Sequence, residues 1–133
     1  MPRARWSAAA SADNVPQLRQ AVVDFAYANG IPESIAEAIR LAVSEAVTNA
    51  VVHGYQRYAQ PGSMHVSATV EGDWIDLRVS DHGSGFAPRD DSPGLGLGLP
   101  LINRLADQVE LRRAPDGEGT EVWMRFRIRD LTA

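Results

Sequence analysis

Glu45 and Asn49 sit four residues apart in the stretch SEAVTNAVVHGY (44–55), whose apolar spacing is that of a helix. At roughly 100° per residue, positions i and i+4 are neighbours on one side of such a helix. Its buried stripe centres on Ile35, Ile39 and Ala46, with Ala42, Val43 and Ala50 also apolar. Glu45 and Asn49 fall at the edge of this stripe, whereas Glu37, Ser44 and Thr48 point to solvent. Glu45 and Asn49 offer a carboxylate and an amide. At the border of a packed helix both can face a cleft. A solvated helix border is nevertheless the commoner origin of a lone Glu-x-x-x-Asn pair.

Three further groups carry possible chemistry. Asp81 ends an alternating segment and shares the parity of Ile75, Leu77 and Val79, so its carboxylate points inward. Burying that group without a donor is expensive. Gly83 and Gly85 in DHGSGF let the backbone turn tightly and let a flat ligand approach. An Asp that caps its own turn accounts for the same residues equally well. Gly94, Gly96 and Gly98, interleaved with Leu95 and Leu97, lie ahead of a helix that Pro100 is expected to open. Glycine-rich loops before helix N-termini offer backbone N–H groups to anions. Thr120 follows Gly119 and has the inward parity of the last strand, where its hydroxyl can bond a ligand or its own backbone. The polar, turn-rich APRDDSP (87–93) reads as a short lid in which Arg89 can reach a phosphate.

The elements that position these groups follow from periodicity. Residues 5–9 suggest a short strand. Asp13 is a plausible N-cap, with Pro16 in the first turn, for a helix carrying Val15, Leu18, Val22 and Phe25 and closed by Gly30. Pro32 starts the second helix, which runs to Gly54. Residues 65–70 and 74–81 alternate as strands, 109–112 form another, and 115–119 are a turn. In 120–128, Val122, Met124, Phe126 and Ile128 face inward, while Glu121, Trp123, Arg125 and Arg127 face outward. The expected fold is an α+β two-layer sandwich: a mostly antiparallel, mixed sheet with helices packed on one face. Trp74 and Trp123 share the outward parity, so they are expected on the uncovered face, as a homodimer or partner surface or as aromatics sheltered by arginine stems.

Composition bounds the function classes. The 133 residues fit one domain, 1–133. No apolar run approaches the ~20 residues of a membrane span, and the start lacks the apolar core of a secretory signal, so a cytoplasmic location is expected. The net charge of −4 argues against nucleic acid as the main partner. Cysteine is absent, which removes thiolate chemistry and Cys-based zinc sites. All 13 basic residues are Arg. Without lysine there is neither a Schiff base nor a Walker-A loop. Any bound phosphate must be held by amides, helix ends, Arg or a metal.

Taken in order, SEAVTNAVVHGY (44–55), DHGSGF (81–86), GLGLGLPLI (94–102) and GTEVWM (119–124) resemble the N, G1 and G2 boxes and closing strand of the GHKL ATPase superfamily. Within it the chain is similar to the bacterial anti-sigma factor serine/threonine kinases, over nearly its whole length. The resemblance implies ATP and Mg²⁺ as cofactors. It assigns Asn49 as the protein ligand of Mg²⁺ and Glu45 as the general base toward a substrate serine. Asp81 would accept from the adenine amino group, with Gly83 and Gly85 shaping that pocket and Thr120 supporting it. Gly94, Leu95, Gly96, Leu97 and Gly98 would line the phosphates. The lid is short, and Arg89 is its nearest candidate for contacting them. His53 matches the family pattern and is read as a packed structural residue. The implied partners are a sigma factor and an anti-anti-sigma antagonist, with a homodimer expected. A module that binds ATP and switches partners without catalysis is the alternative. A sensor histidine kinase would need a dimerisation helix bearing its acceptor His, and gyrase-like or Hsp90-like ATPases need a second domain.

Overall fold

Alternating strands have one apolar face to bury, and antiparallel pairing gathers those faces into a single surface. The computed structural model describes residues 1–54, 62–81, 95–113 and 119–128, with backbone alone at 53–54 and 95–99. Its strands are β1 (Arg3–Ala9), β2 (Ser63–Glu71), β3 (Trp74–Asp81), β4 (Gln108–Arg113) and β5 (Thr120–Arg127), in the sheet order β1-β2-β3-β5-β4. All four pairings are antiparallel, so among the described residues the sheet lacks the parallel pair a mixed sheet would contain. The helices are α1 (Val15–Ala28), α2 (Glu33–Gly54) and α3 (Leu95–Leu105). α2 lies on β2, β3 and β5, with α1 and α3 packed beside it. This is the two-layer α+β sandwich the patterning predicts.

Local chemistry sets the helix ends. Gly30 adopts φ 73°, the left-handed region where a side chain would be strained. There the Gly30 N–H bonds the Tyr27 carbonyl and the Ile31 N–H bonds the Ala26 carbonyl, which is a Schellman closure of α1. The other end differs from expectation. Asp13 is not the cap of α1. It lies in a 3-10 turn (Ala12–Asn14) that Ser11 caps, and Asn14 occupies the N-cap position of α1 without a side-chain cap bond. The Asn14 amide instead ties back to the Ala9 carbonyl at 2.9 Å, fixing the exit of β1. The Pro32 carbonyl accepts the first bonds of α2, from Ile35 and Ala36. β2 and β3 join through the two-residue turn at Gly72 and Asp73, with Glu71 opposite Trp74. Gly72 has φ 60°, and among the described residues no non-glycine residue, Asp73 included, has positive φ, the pattern of a type II′ hairpin.

The core fills the space between the layers. Ile39, Val43 and Val47 of α2 are buried with Val66, Ile75, Leu77, Met124 and Phe126 of the sheet. Ile102 of α3 and Val22 of α1 close the flanks. At the β1 edge the Trp6 ring meets Phe25 edge-on, with centroids 6.0 Å apart.

On the outer sheet face the two tryptophans are sheltered by arginine stems and are not bare exposed aromatics. Trp123 is only 7% exposed and Trp74 is half-buried. Arg112 and Arg125 lie over the Trp123 ring at 4.7 and 5.2 Å, and Arg125 and Arg127 over Trp74 at 5.5 and 5.1 Å. Register produces this stack, because Trp74 sits opposite Arg127 and Asp76 opposite Arg125. Asp76 clamps Arg125 through two bonds, Nε–Oδ1 at 2.7 Å and Nη2–Oδ2 at 3.2 Å. The hydrogen bond to Asp76 raises the Arg125 guanidinium pKa above its ordinary value, against the opposing effect of desolvation. Arg112 lies 3.9 Å from Glu121, which is buried despite its outward parity.

Replacing the fully buried Ile39 by Ala removes packing between α2 and the sheet. Ile39→Ala is expected to cost about 3 kcal/mol, seen as a lower denaturant midpoint with an unchanged slope. A cost below about 1 kcal/mol would show that α2 does not carry the core.

Candidate functional site

The site lies where the second half of α2 crosses the ends of β3 and β5. Alternation aims Val79 and Asp81 at the helix layer, and register sets Val79 opposite Val122 and Asp81 opposite Thr120. The helix presents Ala46, Asn49 and Ala50 to the same place. These seven residues line one small cavity. Its walls are mostly aliphatic, and its polar groups are one carboxylate, one hydroxyl and one amide. Asp81 is 3% exposed and Thr120 7%, while Asn49 is half-buried at the rim. Both buried groups are engaged in polar interactions, and among the described residues no buried side-chain nitrogen or oxygen lacks a partner.

The open space among these seven residues is only about 10 Å³, room for about one water, so they form the floor of a site and do not enclose a ligand. At that floor the carboxylate can accept from a donor such as an exocyclic amine. The alanines matter as much as the polar groups. Ala46 and Ala50 are four apart, flank Asn49, and keep the helix surface low beside Asp81. Periodicity marks them only as core positions. What identifies them as site residues is their small size next to an inward carboxylate.

Of the residues singled out by sequence, Asn49, Asp81 and Thr120 come together in this cavity. Glu45 does not line it. Glu45 is half-buried one turn back along α2, on the side Asn49 shares. Gly83, Gly85, Arg89 and Gly94 lie outside the described residues, as does His82, and the side chain of His53 is likewise outside them.

The glycine run needs a correction. Pro100 does not open α3, which begins at Leu95 and carries Pro100 in its interior. Leu95, Gly96, Leu97 and Gly98 therefore form its first turn instead of a preceding loop. A proline fits helical φ, although its missing N–H removes one helical bond and its ring crowds the carbonyl four residues back. The apolar spacing 95, 99, 102 runs straight through it. The change keeps the chemical capacity of the segment, because the first four N–H groups of a helix have no partner within it.

Among the described residues no three His, Asp or Glu side chains gather as a metal site. A divalent cation held here would rest on the Asn49 amide oxygen, with water and phosphate oxygens completing its shell, as suits Mg²⁺.

Comparisons with known proteins identify the family and the fold. The chain matches the histidine kinase-like ATPase domain family over residues 8–126. It is 33% identical over 102 residues to the anti-sigma F factor of Pasteuria penetrans, covering 68% of this chain and 67% of that protein. It is 34% identical over 103 residues to the anti-sigma F factor of Thermoanaerobacter sp. (strain X514), covering 69% of each. In structure it is similar to the RsbU and RsbW domains of a Mycobacterium tuberculosis protein. That match has a TM-score of 0.76 and 23% identity, and covers 98% of this chain and 34% of that one. It also resembles the histidine kinase domain of a blue-light activated histidine kinase from Erythrobacter litoralis. There the TM-score is 0.62 at 24% identity, over 87% of this chain and 60% of that one. The two structural matches show the fold.

Asp81→Asn keeps the size of the side chain but replaces half of its acceptor capacity with a donor. It is expected to weaken ATP binding at least tenfold by calorimetry, about 1.4 kcal/mol, with the circular dichroism spectrum preserved. Unchanged affinity in a folded variant would remove Asp81 from the nucleotide site.

Proposed function

Since the chain belongs to the histidine kinase-like ATPase domain family and is related to the anti-sigma F factors, we propose that it is an ATP-dependent anti-sigma regulator that phosphorylates a serine on an antagonist protein. One observation carries the reading. Asn49 stands at the rim of the Asp81–Thr120 cavity, and Glu45 stands one turn along the same helix edge. A base placed one turn from the metal ligand is within reach of a hydroxyl that approaches the terminal phosphate.

In this reading Asp81 and Thr120 hold adenine, with Gly83 and Gly85 lining the pocket. Asn49 ligates Mg²⁺, and the first turn of α3, from Leu95 to Gly98, offers N–H groups to the phosphates together with Gly94. Mg²⁺, when bound, neutralises charge on the phosphate oxygens. Glu45 accepts the serine hydroxyl proton as that oxygen bonds the γ-phosphorus and the bond to the β–γ bridging oxygen breaks. Arg89 is the candidate to meet the transferring group. Partners are a sigma factor, held while the antagonist is phosphorylated, and the antagonist itself. The protein acts in the cytoplasm. No helix among the described residues is long and apolar enough to cross a membrane.

The test is to incubate the protein with Mg-ATP and its cognate antagonist and to look for phosphoserine by mass spectrometry. Glu45→Ala is expected to lower transfer at least a hundredfold, about 2.7 kcal/mol, with ATP affinity unchanged. Asn49→Ala is expected to weaken Mg-ATP binding itself. ATP binding without transfer, and partner release unaffected by Glu45→Ala, would replace this reading with a non-catalytic partner switch.

A homodimer belongs to the same proposal, on the half of the outer sheet face built by Trp74 and Trp123. Arg112, Arg125 and Arg127, stacked on the two rings, form the surface a second copy would meet. Light scattering is expected to give twice the chain mass, and Trp123→Ala to reduce it. A monomer at micromolar concentration would exclude the dimer.

A further inference from the structure

The other half of the outer sheet face is a trough. β2 forms its floor with the small side chains Ser67 and Thr69, while β1 and β3 raise the walls. Register places Arg5 and Arg78 on either side of Ser67, and Arg3 beside Thr69. The trough encloses about 350 Å³, and Glu71 closes one end. All three arginines are exposed, and none makes an ion pair or hydrogen bond among the described residues. The nearby carboxylate of Asp76 is already committed to Arg125. Positive charge is therefore uncompensated here, on a chain whose net charge is −4.

From this geometry we infer that the trough is a binding site for an extended acidic segment of a partner protein. Its shape decides between anions. Arg3 and Arg5 are two residues apart on one strand, so their backbones are roughly 7 Å apart, and Arg78 stands two strands from Arg5, about 10 Å away. The Arg3–Arg5 spacing along β1 matches carboxylates on alternate residues of an extended chain, and Arg78 faces that chain from the opposite wall; three cations so spread suit an extended segment better than one phosphate. The hydroxyls of Ser67 and Thr69 can bond the segment, and Glu71 repels a carboxylate at one end, which sets its register. The overall acidity of the chain does not prevent this, because at physiological salt charges beyond about 8 Å are largely screened.

The test uses a fluorescein-labelled Glu-Ser octapeptide of alternating sequence, with the intact protein, followed by anisotropy. Saturable binding is expected at low salt, weakening as salt rises. The double variant Arg5→Glu/Arg78→Glu is expected to lose at least tenfold in affinity, with ATP binding unchanged. The milder Arg5→Gln/Arg78→Gln pair, read with circular dichroism, supplies the same comparison should charge reversal disturb the fold. No saturable binding, or equal affinity in the folded variants, would overturn the proposal. Displacement by inorganic phosphate at concentrations equal to the peptide would reassign the trough as a phosphate site. A change of oligomeric mass in the variants would reassign it as a contact between copies.

Discussion

The register between β3 and β5 is the constraint from which the rest of the molecule follows. A slip of one residue would turn every inward side chain of one strand outward. Val79, Leu77 and Ile75 would lose their places under α2, and the Asp81–Thr120 pair would part. The same register holds Asp76 to Arg125 and Trp74 to Arg127 on the opposite face. Core, site and outer surface are therefore three readings of a single alignment, and none can be altered by shifting a strand without cost to the others.

α2 extends that constraint into the helical layer. Its buried side has to supply large aliphatic groups over the middle of the sheet and small ones over the strand ends. Ile39 and Val43 do the first, Ala46 and Ala50 the second. Where the helix surface is low, a carboxylate can sit inside the protein and still face an opening. The candidate site thus lies where small side chains thin the packing, while the large aliphatic groups that carry stability sit a turn or two away.

Much of this was legible in the sequence because alternation and helical spacing are local signals. β3 runs from Trp74 to Asp81 as its pattern indicates, and the inward parity of Asp81 and Thr120 was readable before their pairing was known. Structure and sequence pattern part where a residue's ordinary preference meets a context the sequence does not display. Asp13 and Pro100 have the chemistry of helix starts. Ser11, however, caps a 3-10 turn ahead of α1, and the apolar spacing around Pro100 carries α3 back to Leu95. Trp123 was placed on the correct face, but its burial depends on arginines from β4 and β5 folding over it. Cross-strand neighbours decide such cover, and parity alone does not name them. The uncompensated charge of Arg3, Arg5 and Arg78 was hidden for the same reason, since the three come from two strands that are far apart in the chain.

The pairing of β1 with β2 has a consequence for the order in which the molecule can be made. Arg3 aligns with Thr69 and Ala9 with Ser63. β1 therefore waits until α1, α2 and β2 have been made before its edge is satisfied. Meanwhile α1 and α2 can form from local contacts, and β2 and β3 can close through their two-residue hairpin. β5 comes later still and is inserted between β3 and β4. The cavity walls at Thr120 and Val122 are thus the last to arrive. The nascent chain acquires the helical framework and the first hairpin before the strand that completes the candidate site.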